Sequence, residues 1–327
     1  MTFPQKDVRL KTQAIIPRCS MLEEGEGSNI EHRASSHGYL TGKKRMPADL
    51  HIHTYFSDST LSPREIVEEA CRRRLSTIAI TDHDTIDGIS EANYWGEQYG
   101  LYVIPGVELS ADTLKREIHM LGYFIDQNSE SLRTYLRTFR ETRYQRAQKI
   151  VEKLAKLGPR ISFNRIKELA GRGCIGRLHV ATVMREAGIV DSTAEAFQYI
   201  GQNGPCYVPK YHISPRQAIQ IIRTAGGLPV LAHPGTLDGD EFIPQLISEG
   251  LAGLEAYHTE HPPDIEEHYR CLAEKYGLLI TGGSDCHGLG KGRIMIGERV
   301  ISDEMVERLR KADFEWRNEP GGRWIAE

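Results

Sequence analysis

No Cys-x-x-Cys pair occurs in the 327 residues, although six cysteines are scattered along them: Cys19, Cys71, Cys174, Cys206, Cys271 and Cys286. That spread excludes a zinc site built on paired thiolates and argues against a disulfide framework, so reduced thiols and a cytoplasmic location are expected. Long apolar runs are missing too. No stretch approaches the roughly 18 residues that cross a bilayer, and the N-terminal residues lack the apolar centre of a signal peptide, so no membrane partner is expected. Charge of one sign is not in excess: 41 Lys and Arg stand against 45 Asp and Glu, a net charge of −4. A global basic field for nucleic acid is thereby excluded, and anions must be met by local patches. There is no internal repeat, and no elbow motif offers a nucleophilic side chain.

What is present suits a sizeable core. Hydrophobic residues make up 39% and charged residues 26%, enough for one large α/β domain with an insertion or for two domains. Residues 1–46 have no sustained hydrophobic period, and Glu23-Glu24-Gly25-Glu26-Gly27-Ser28-Asn29 reads as solvated and disordered. Either this extension is a functional tail, or Met46 or Met21 is the natural start; a chain beginning at Met46 is expected to fold and to turn over substrate.

From Ala48 onward, short apolar runs alternate with amphipathic stretches as strand, helix, strand, helix. Ser62 and Pro63 form a helix start, the hydroxyl as cap and the ring in the first turn, ahead of an amphipathic 64–74. A strand over 75–81, a helix over 86–99 ended by Gly100, a strand over 101–109 and a strand over 117–125 follow. The rhythm then breaks. Residues 129–157 contain neither Gly nor Pro and read as one long helix, with shorter helical pieces near 163–170, 179–187 and 193–200. Helices over 215–225, 242–249, 263–276 and 302–312 then alternate with strands over 228–233, 252–257 and 278–281. The expected organisation is a disordered extension over 1–46, a barrel domain over 47–126 and 212–315, and a helical insertion over 127–211.

Chemistry-bearing residues gather at the ends of these strands. Asp49-Leu50-His51-Ile52-His53 places two imidazoles two residues apart, on one side of a strand, which is a metal-ligand spacing. Asp58 closes the same stretch, and His83, Glu108, His119, His233, Asp285 and His287 follow downstream in motifs that nearly all come directly after short apolar runs. A parallel α/β barrel collects such strand ends at one mouth. Six imidazoles and three carboxylates exceed what one cation needs, so two or three are expected, with a carboxylate such as Glu108 as bridge; imidazole and oxygen donors suit manganese, iron or zinc. Asp82 and Asp84 flank His83 and either orient ligand imidazoles or cap the next helix.

The order of these motifs from Asp49 to His287 resembles the polymerase and histidinol phosphatase (PHP) family of metal-dependent phosphoesterases, over most of residues 47–300. The resemblance implies a distorted (β/α)7 barrel with three divalent cations at its mouth, manganese first, with iron or zinc as alternatives. It further implies that His51, His53, Glu108 and Asp285 hold one cation, Glu108, His119 and His233 a second, and Asp58, His83 and His287 the third. A metal-bridging hydroxide would attack phosphorus, with Glu108 and Asp285 the catalytic carboxylates. His258, after the strand over 252–257, either protonates the leaving group or is a hydrogen-bonded histidine at the mouth. Asp58 and the helical insertion resemble the branch that acts on nucleoside 3′,5′-bisphosphates and on 5′ ends of short RNA. The expected partners are therefore a small nucleotide, bisphosphate or 5′-mononucleotide, and short RNA ends; no obligate protein partner is evident.

Within the insertion, Arg133, Arg137, Arg140, Arg143, Arg146, Lys149, Lys153 and Lys156 recur every three or four residues, as either a solvated face or a basic rim over the mouth. The glycine-rich Gly171-Arg172-Gly173-Cys174-Ile175-Gly176 delivers Arg177 and His179 to a helix start, an arrangement suited to phosphate. The resembling branch has Pro where this chain has Leu178. Lys210 is either a second phosphate contact or a surface lysine. Two other functions compete: histidinol-phosphate phosphatase, against which the basic insertion argues, and a non-catalytic metal-binding PHP module, against which the unbroken ligand set argues.

Overall fold

Short runs of β-branched and other apolar residues, buried on both faces, make the strands, as a sheet covered by helices requires. The computed structural model describes residues 47–113, 116–171 and 173–318; the expected extension over 1–46 lies outside the described residues. The strands are β1 (Ala48–Ile52), β2 (Thr77–Ile80), β3 (Tyr102–Asp112), β4 (Glu117–Tyr123), β5 (Leu228–Leu231), β6 (Gly253–His258) and β7 (Leu279–Gly283). They hydrogen-bond in chain order as one seven-stranded sheet. β7 returns to β1: the His53 amide donates to the Cys286 carbonyl at 3.1 Å and the Ser284 amide to the Asp49 carboxylate at 2.9 Å. The sheet thus nearly closes into the distorted barrel that the resemblance implies.

It is not parallel throughout. β3 and β4 form an antiparallel pair, and β4 is antiparallel to β5 as well; all other pairings are parallel. No helix intervenes between β3 and β4, so the chain reverses directly and both strands pair over their full overlap, from Gly106 opposite Tyr123 to Asp112 opposite Glu117. This pairing carries β3 past the expected end at residue 109.

The helices are α1 (Pro63–Arg72), α2 (Ile89–Tyr99), α3 (Glu130–Lys156), α4 (Phe163–Ala170), α5 (Arg177–Glu186), α6 (Thr193–Ile200), α7 (Pro215–Thr224), α8 (Ile243–Ser248), α9 (Pro263–Lys275) and α10 (Asp303–Asn318). Ser62 caps α1 in a reciprocal box with Glu65, and Ser214 caps α7 likewise with Gln217. α2 starts three residues later than its apolar pattern, because the chain turns before the helix, with Gly88 at the N-cap and Ile89 as the first helical residue. α10 runs beyond the expected end at 312 and packs Val306, Leu309 and Ala312 on a cluster with Leu50, Ile104, Tyr123 and Val230.

α3 joins two cores. Leu132, Tyr135, Leu136 and Phe139 on its first half pack in the cluster that covers the barrel, whereas Ala147, Ile150 and Leu154 pack with Ile166, Val180 and Met184 of α4 and α5. One rigid helix therefore fixes where α4–α6 stand relative to the strand ends.

Candidate metal centre

Backbone bends deliver the donors. His233 and Asp285 have φ of 30° and 51°, and Asp84 has 49°, all in the left-handed region that residues other than Gly seldom adopt. These bends follow β5, β7 and β2 and turn the chain at the strand ends. β7 approaches β1 so closely that a Cβ on Gly283 would lie 2.3 Å from the His51 amide nitrogen, which is why glycine is required there. His119 arrives differently. As the third residue of a strand running the opposite way, it reaches the mouth near the start of β4, opposite Ser110 and two residues beyond Glu108 on β3.

All nine expected ligands converge. Glu108 is buried, and its two oxygens face different partners: Oε2 lies 3.1 Å from His51 Nε2, 3.2 Å from His53 Nε2 and 3.1 Å from His83 Nδ1, while Oε1 lies 3.0 Å from His119 Nδ1 and 3.2 Å from His233 Nε2. Asp285 Oδ1 lies 3.0 Å from His53 Nε2 and 3.4 Å from His51 Nε2. Asp58, whose side chain is 51% exposed, sits 3.3 Å from His287 Nε2 and 3.8 Å from both His53 Nδ1 and His83 Nε2. Donor atoms within 4.8 Å of one another form the groups His51, His53, Glu108, Asp285; His53, Asp58, His83, His287; and His83, Glu108, His119. His51, Glu255 and His258 form a fourth such group, and His51, His53, His83 and Glu108 each belong to two.

The outer ring nitrogens are anchored. His51 Nδ1 donates to Glu255 at 2.9 Å. His287 Nδ1 donates to the Asp285 carbonyl at 2.8 Å, and His233 Nδ1 lies 3.2 Å from Thr236 Oγ1, whose hydroxyl is turned to a carbonyl. Each bond fixes a tautomer that leaves Nε2 facing inward as a lone-pair donor. Both nitrogens of His53 and Nδ1 of His83 are buried without any hydrogen bond. Buried imidazole nitrogens without hydrogen bonds among anionic oxygens suit divalent cations, so the residues fit the metals that the motif order implies.

Electrostatics reflect the crowding. Burial opposes charge on His53 and His119, yet Asp285 and Glu108 at the first, and Glu108 and Glu117 at the second, push both up to about 10. Burial dominates at His83 and pushes it down to about 3. Against the effect of burial, His83, His51 and His119 hold Glu108 well below the usual carboxylate range, and His51, His258 and His53 do the same for Asp285.

Several functional neighbours escaped sequence reasoning. Glu255 binds His51 Nδ1 through Oε1 and the His233 amide through Oε2 at 2.8 Å; a glutamate inside the apolar run 254–256 was the available signal. Lys291 donates to Asp285 Oδ2 at 2.7 Å, and Asp49 accepts the Ser284 and Gly297 amides. Neither role expected for the flanking aspartates holds. Asp82 accepts from the Thr54 amide and hydroxyl and from Ser57, and Asp84 from Ser110 and Tyr135; both fix loops, and Gly88 rather than an aspartate stands at the N-cap of α2.

Two cavities flank the centre, and His83 and His119 line both. One, of about 220 Å³, is also lined by Thr236, His258, Glu260 and Lys291. His258 is buried, accepts the Glu260 amide on Nδ1 at 3.1 Å and points Nε2 at Asp285 Oδ2, 3.5 Å away. The other, of about 400 Å³, reaches Asp58 on the barrel side and Arg143, Arg146, Arg177, His179 and Lys210 on the far side. The basic row of α3 is thus neither one solvated face nor one rim: steps of three residues under-rotate by roughly 60° each, so the row winds around the helix. Arg143 and Arg146 face this cavity, while Arg133, Arg137 and Arg140 line a separate groove of about 660 Å³ beside α2. Arg177 stacks over Phe197 at 5.4 Å and has no carboxylate partner among the described residues. His179 Nδ1 accepts the Gly176 amide at 3.0 Å, and Leu178 is exposed. Lys210 is already paired with Asp112 and Glu117, at 2.7 and 2.9 Å.

Residues 49–166 match the PHP domain family and residues 270–314 the PHP-associated family. The chain is 32% identical to the phosphoribosyl 1,2-cyclic phosphate 1,2-diphosphodiesterase of Eggerthella lenta, over 74% of this chain and 95% of that protein. It is 35% identical to the 5′-3′ exoribonuclease Rnm of Escherichia coli, over 73% and 84%, and 32% identical to the 3′,5′-nucleoside bisphosphate phosphatase of Chromobacterium violaceum, over 81% and 99%. Among solved structures, a Bifidobacterium adolescentis protein assigned as a metal-dependent phosphoesterase superposes with a TM-score of 0.70 at 34% identity, covering 80% of this chain and 94% of that one. Donor set, barrel and relatives agree: the chain belongs to the PHP family of metal-dependent phosphoesterases.

Proposed function

We propose that this phosphoesterase hydrolyses a phosphate ester of a nucleoside 3′,5′-bisphosphate, and that three divalent cations, manganese first, occupy its mouth. His51, His53, Glu108 and Asp285 would hold one, Glu108, His119 and His233 a second, and Asp58, His83 and His287 the third. Such cations polarise phosphoryl oxygens and lower the pKa of a bound water enough for attack at neutral pH.

The chain's own residues divide the remaining work. In the larger cavity, Arg177 grips the phosphate that does not react, since a guanidinium offers a bidentate fork, and Arg143 and Arg146 add charge beside it. His179 presents its Nε2 side, because its Nδ1 is committed to the Gly176 amide. In the smaller cavity the leaving oxygen takes a proton from Nε2 of His258; the Glu260 amide on Nδ1 fixes the tautomer that carries it. Water adds to phosphorus as the ester P–O bond breaks, so phosphate and an alcohol result. On this reading residues 47–126 with 212–315 form the catalytic barrel, and 127–211 form the unit that selects substrate.

The observation that carries the proposal is the 400 Å³ cavity, with metal-ligand candidates on one wall and, on the other, Arg143, 3.9 Å from Asp84, beside Arg146 and Arg177, which have no carboxylate partner among the described residues. The test is turnover with added manganese of a nucleoside 3′,5′-bisphosphate, a 5′-mononucleotide, histidinol phosphate and a ribosyl 1,2-cyclic phosphate. The bisphosphate should lead. Arg177→Ala should lower its kcat/KM by about 1.5–3 kcal/mol, the range for a hydrogen bond to a charged group, and should affect the mononucleotide less. An equal loss on both would place Arg177 on the reacting phosphate, and no loss on either would refute its role.

A further inference from the structure

The arginine-walled cavity does not end at Arg177. A second cavity, of about 430 Å³, adjoins it and shares Glu117, Arg146, Arg177 and Lys210 as a common wall. None of the metal-ligand candidates lines it, although its Glu117 lies 3.6 Å from His119 Nε2, and it continues to Arg116, Tyr207 and His212.

Charge in this second cavity is unbalanced. Its carboxylates are satisfied internally: Asp112 binds Lys210 at 2.7 Å and His212 at 2.6 Å, and Glu117 binds Lys210 at 2.9 Å. Three guanidiniums have no carboxylate partner among the described residues. Arg116 donates to the Asp238 carbonyl and lies over Phe242, Arg146 donates to the Val208 carbonyl at 2.8 Å, and Arg177 lies over Phe197. Burial first, and then repulsion from Arg177 and Arg143, brings the Arg146 guanidinium down to about 10. An anion among these side chains would relieve that repulsion.

A single phosphate on Arg177 leaves the space and charge beyond it unused. We infer that the site accepts nucleotides whose non-reacting end carries a di- or triphosphate, with Arg116, Arg146 and Arg177 bracketing the added phosphoryl groups. This inference rests on the bisphosphate reading, in which Arg177 holds the phosphate that stays. A compact polyphosphate suits a cavity of this size ringed by cations better than a further nucleoside does, because its charge density matches several guanidiniums at once.

The test compares kcat/KM for a nucleoside 3′-phosphate 5′-triphosphate with that for the 3′,5′-bisphosphate, with manganese, in the wild type and in Arg116→Ala. The wild type should process the triphosphate at least as well as the bisphosphate, and Arg116→Ala should lower the triphosphate-to-bisphosphate ratio about ten-fold or more. Calorimetric titration of the metal-stripped protein with nucleoside 5′-triphosphate and 5′-monophosphate gives a readout independent of turnover, and Arg116→Ala should weaken the triphosphate more. A wild type that turns over the bisphosphate but rejects the triphosphate ten-fold or more overturns this inference alone, as does a ratio that Arg116→Ala leaves unchanged. Failure on both substrates overturns the bisphosphate reading and this one with it.

Discussion

Glu108 spends both carboxylate oxygens on different imidazoles, Oε2 on His51, His53 and His83 and Oε1 on His119 and His233. An amide in its place keeps the shape but removes the anion and turns one acceptor into a donor pointed at ring nitrogens. Glu108→Gln should therefore lose about one metal equivalent or more and abolish turnover. Elemental analysis beside a rate assay decides; full metal content with near-normal kcat would show that Glu108 is not a ligand. Most of the nine candidate donors were legible in the sequence because they are ionisable residues beside a short apolar run, whereas Asp58, among Ser57, Ser59 and Thr60, was marked by the motif order alone. Their supports were not. Glu255 and His51 are 204 positions apart, and nothing local announces that one holds the other.

At the scale of elements, the site depends on how closely β7 packs on β1. A methyl on Gly283 would meet the amide nitrogen, Cβ and Cα of His51 at 2.3, 2.4 and 2.8 Å, and backbone cannot step aside as a flexible side chain can. Gly283→Ala should force the two strands apart, cost about 1–3 kcal/mol of stability as overpacking does, and lower metal content together with the unfolding midpoint. A variant with wild-type midpoint and full metal would show slack between the strands. The reversal at β4 belongs to this scale too. Strand-helix alternation predicts a parallel barrel, and His119 reaches the mouth only because the strand carrying it runs backwards from a hairpin. Periodicity gives the presence of a strand, but its direction is set by the length and packing of the connection.

For the whole molecule, the metal-stripped centre is a set of imidazoles and carboxylates that must balance their own charge. His53 and His119, at about 10, lie above the ordinary histidine value of 6.5, so the stability they add is fully present below about 6.5 and is lost as pH rises through about 10. Stripped protein should accordingly show a falling unfolding midpoint across that window. With both rings raised by the carboxylates around them, manganese uptake at pH 7.5 should release protons, measurable as a dependence of binding heat on buffer ionisation enthalpy. Uptake without proton release would show that those rings are neutral before metal arrives. No helix among the described residues is long and apolar enough to cross a membrane. By itself the sequence determined the alternation of elements, the all-helical stretch between the His119 and His233 strands, and which ionisable residues stand at strand ends, since all of these follow from short-range polarity and spacing. Only the tertiary structure decided which carboxylate faces which imidazole, that α3 turns Arg143 and Arg146 toward the mouth and Arg133, Arg137 and Arg140 away from it, and that a second arginine-lined cavity adjoins the first. Those facts depend on sheet closure and on the angle at which one long helix leaves the barrel, which are set by packing between residues far apart in the chain.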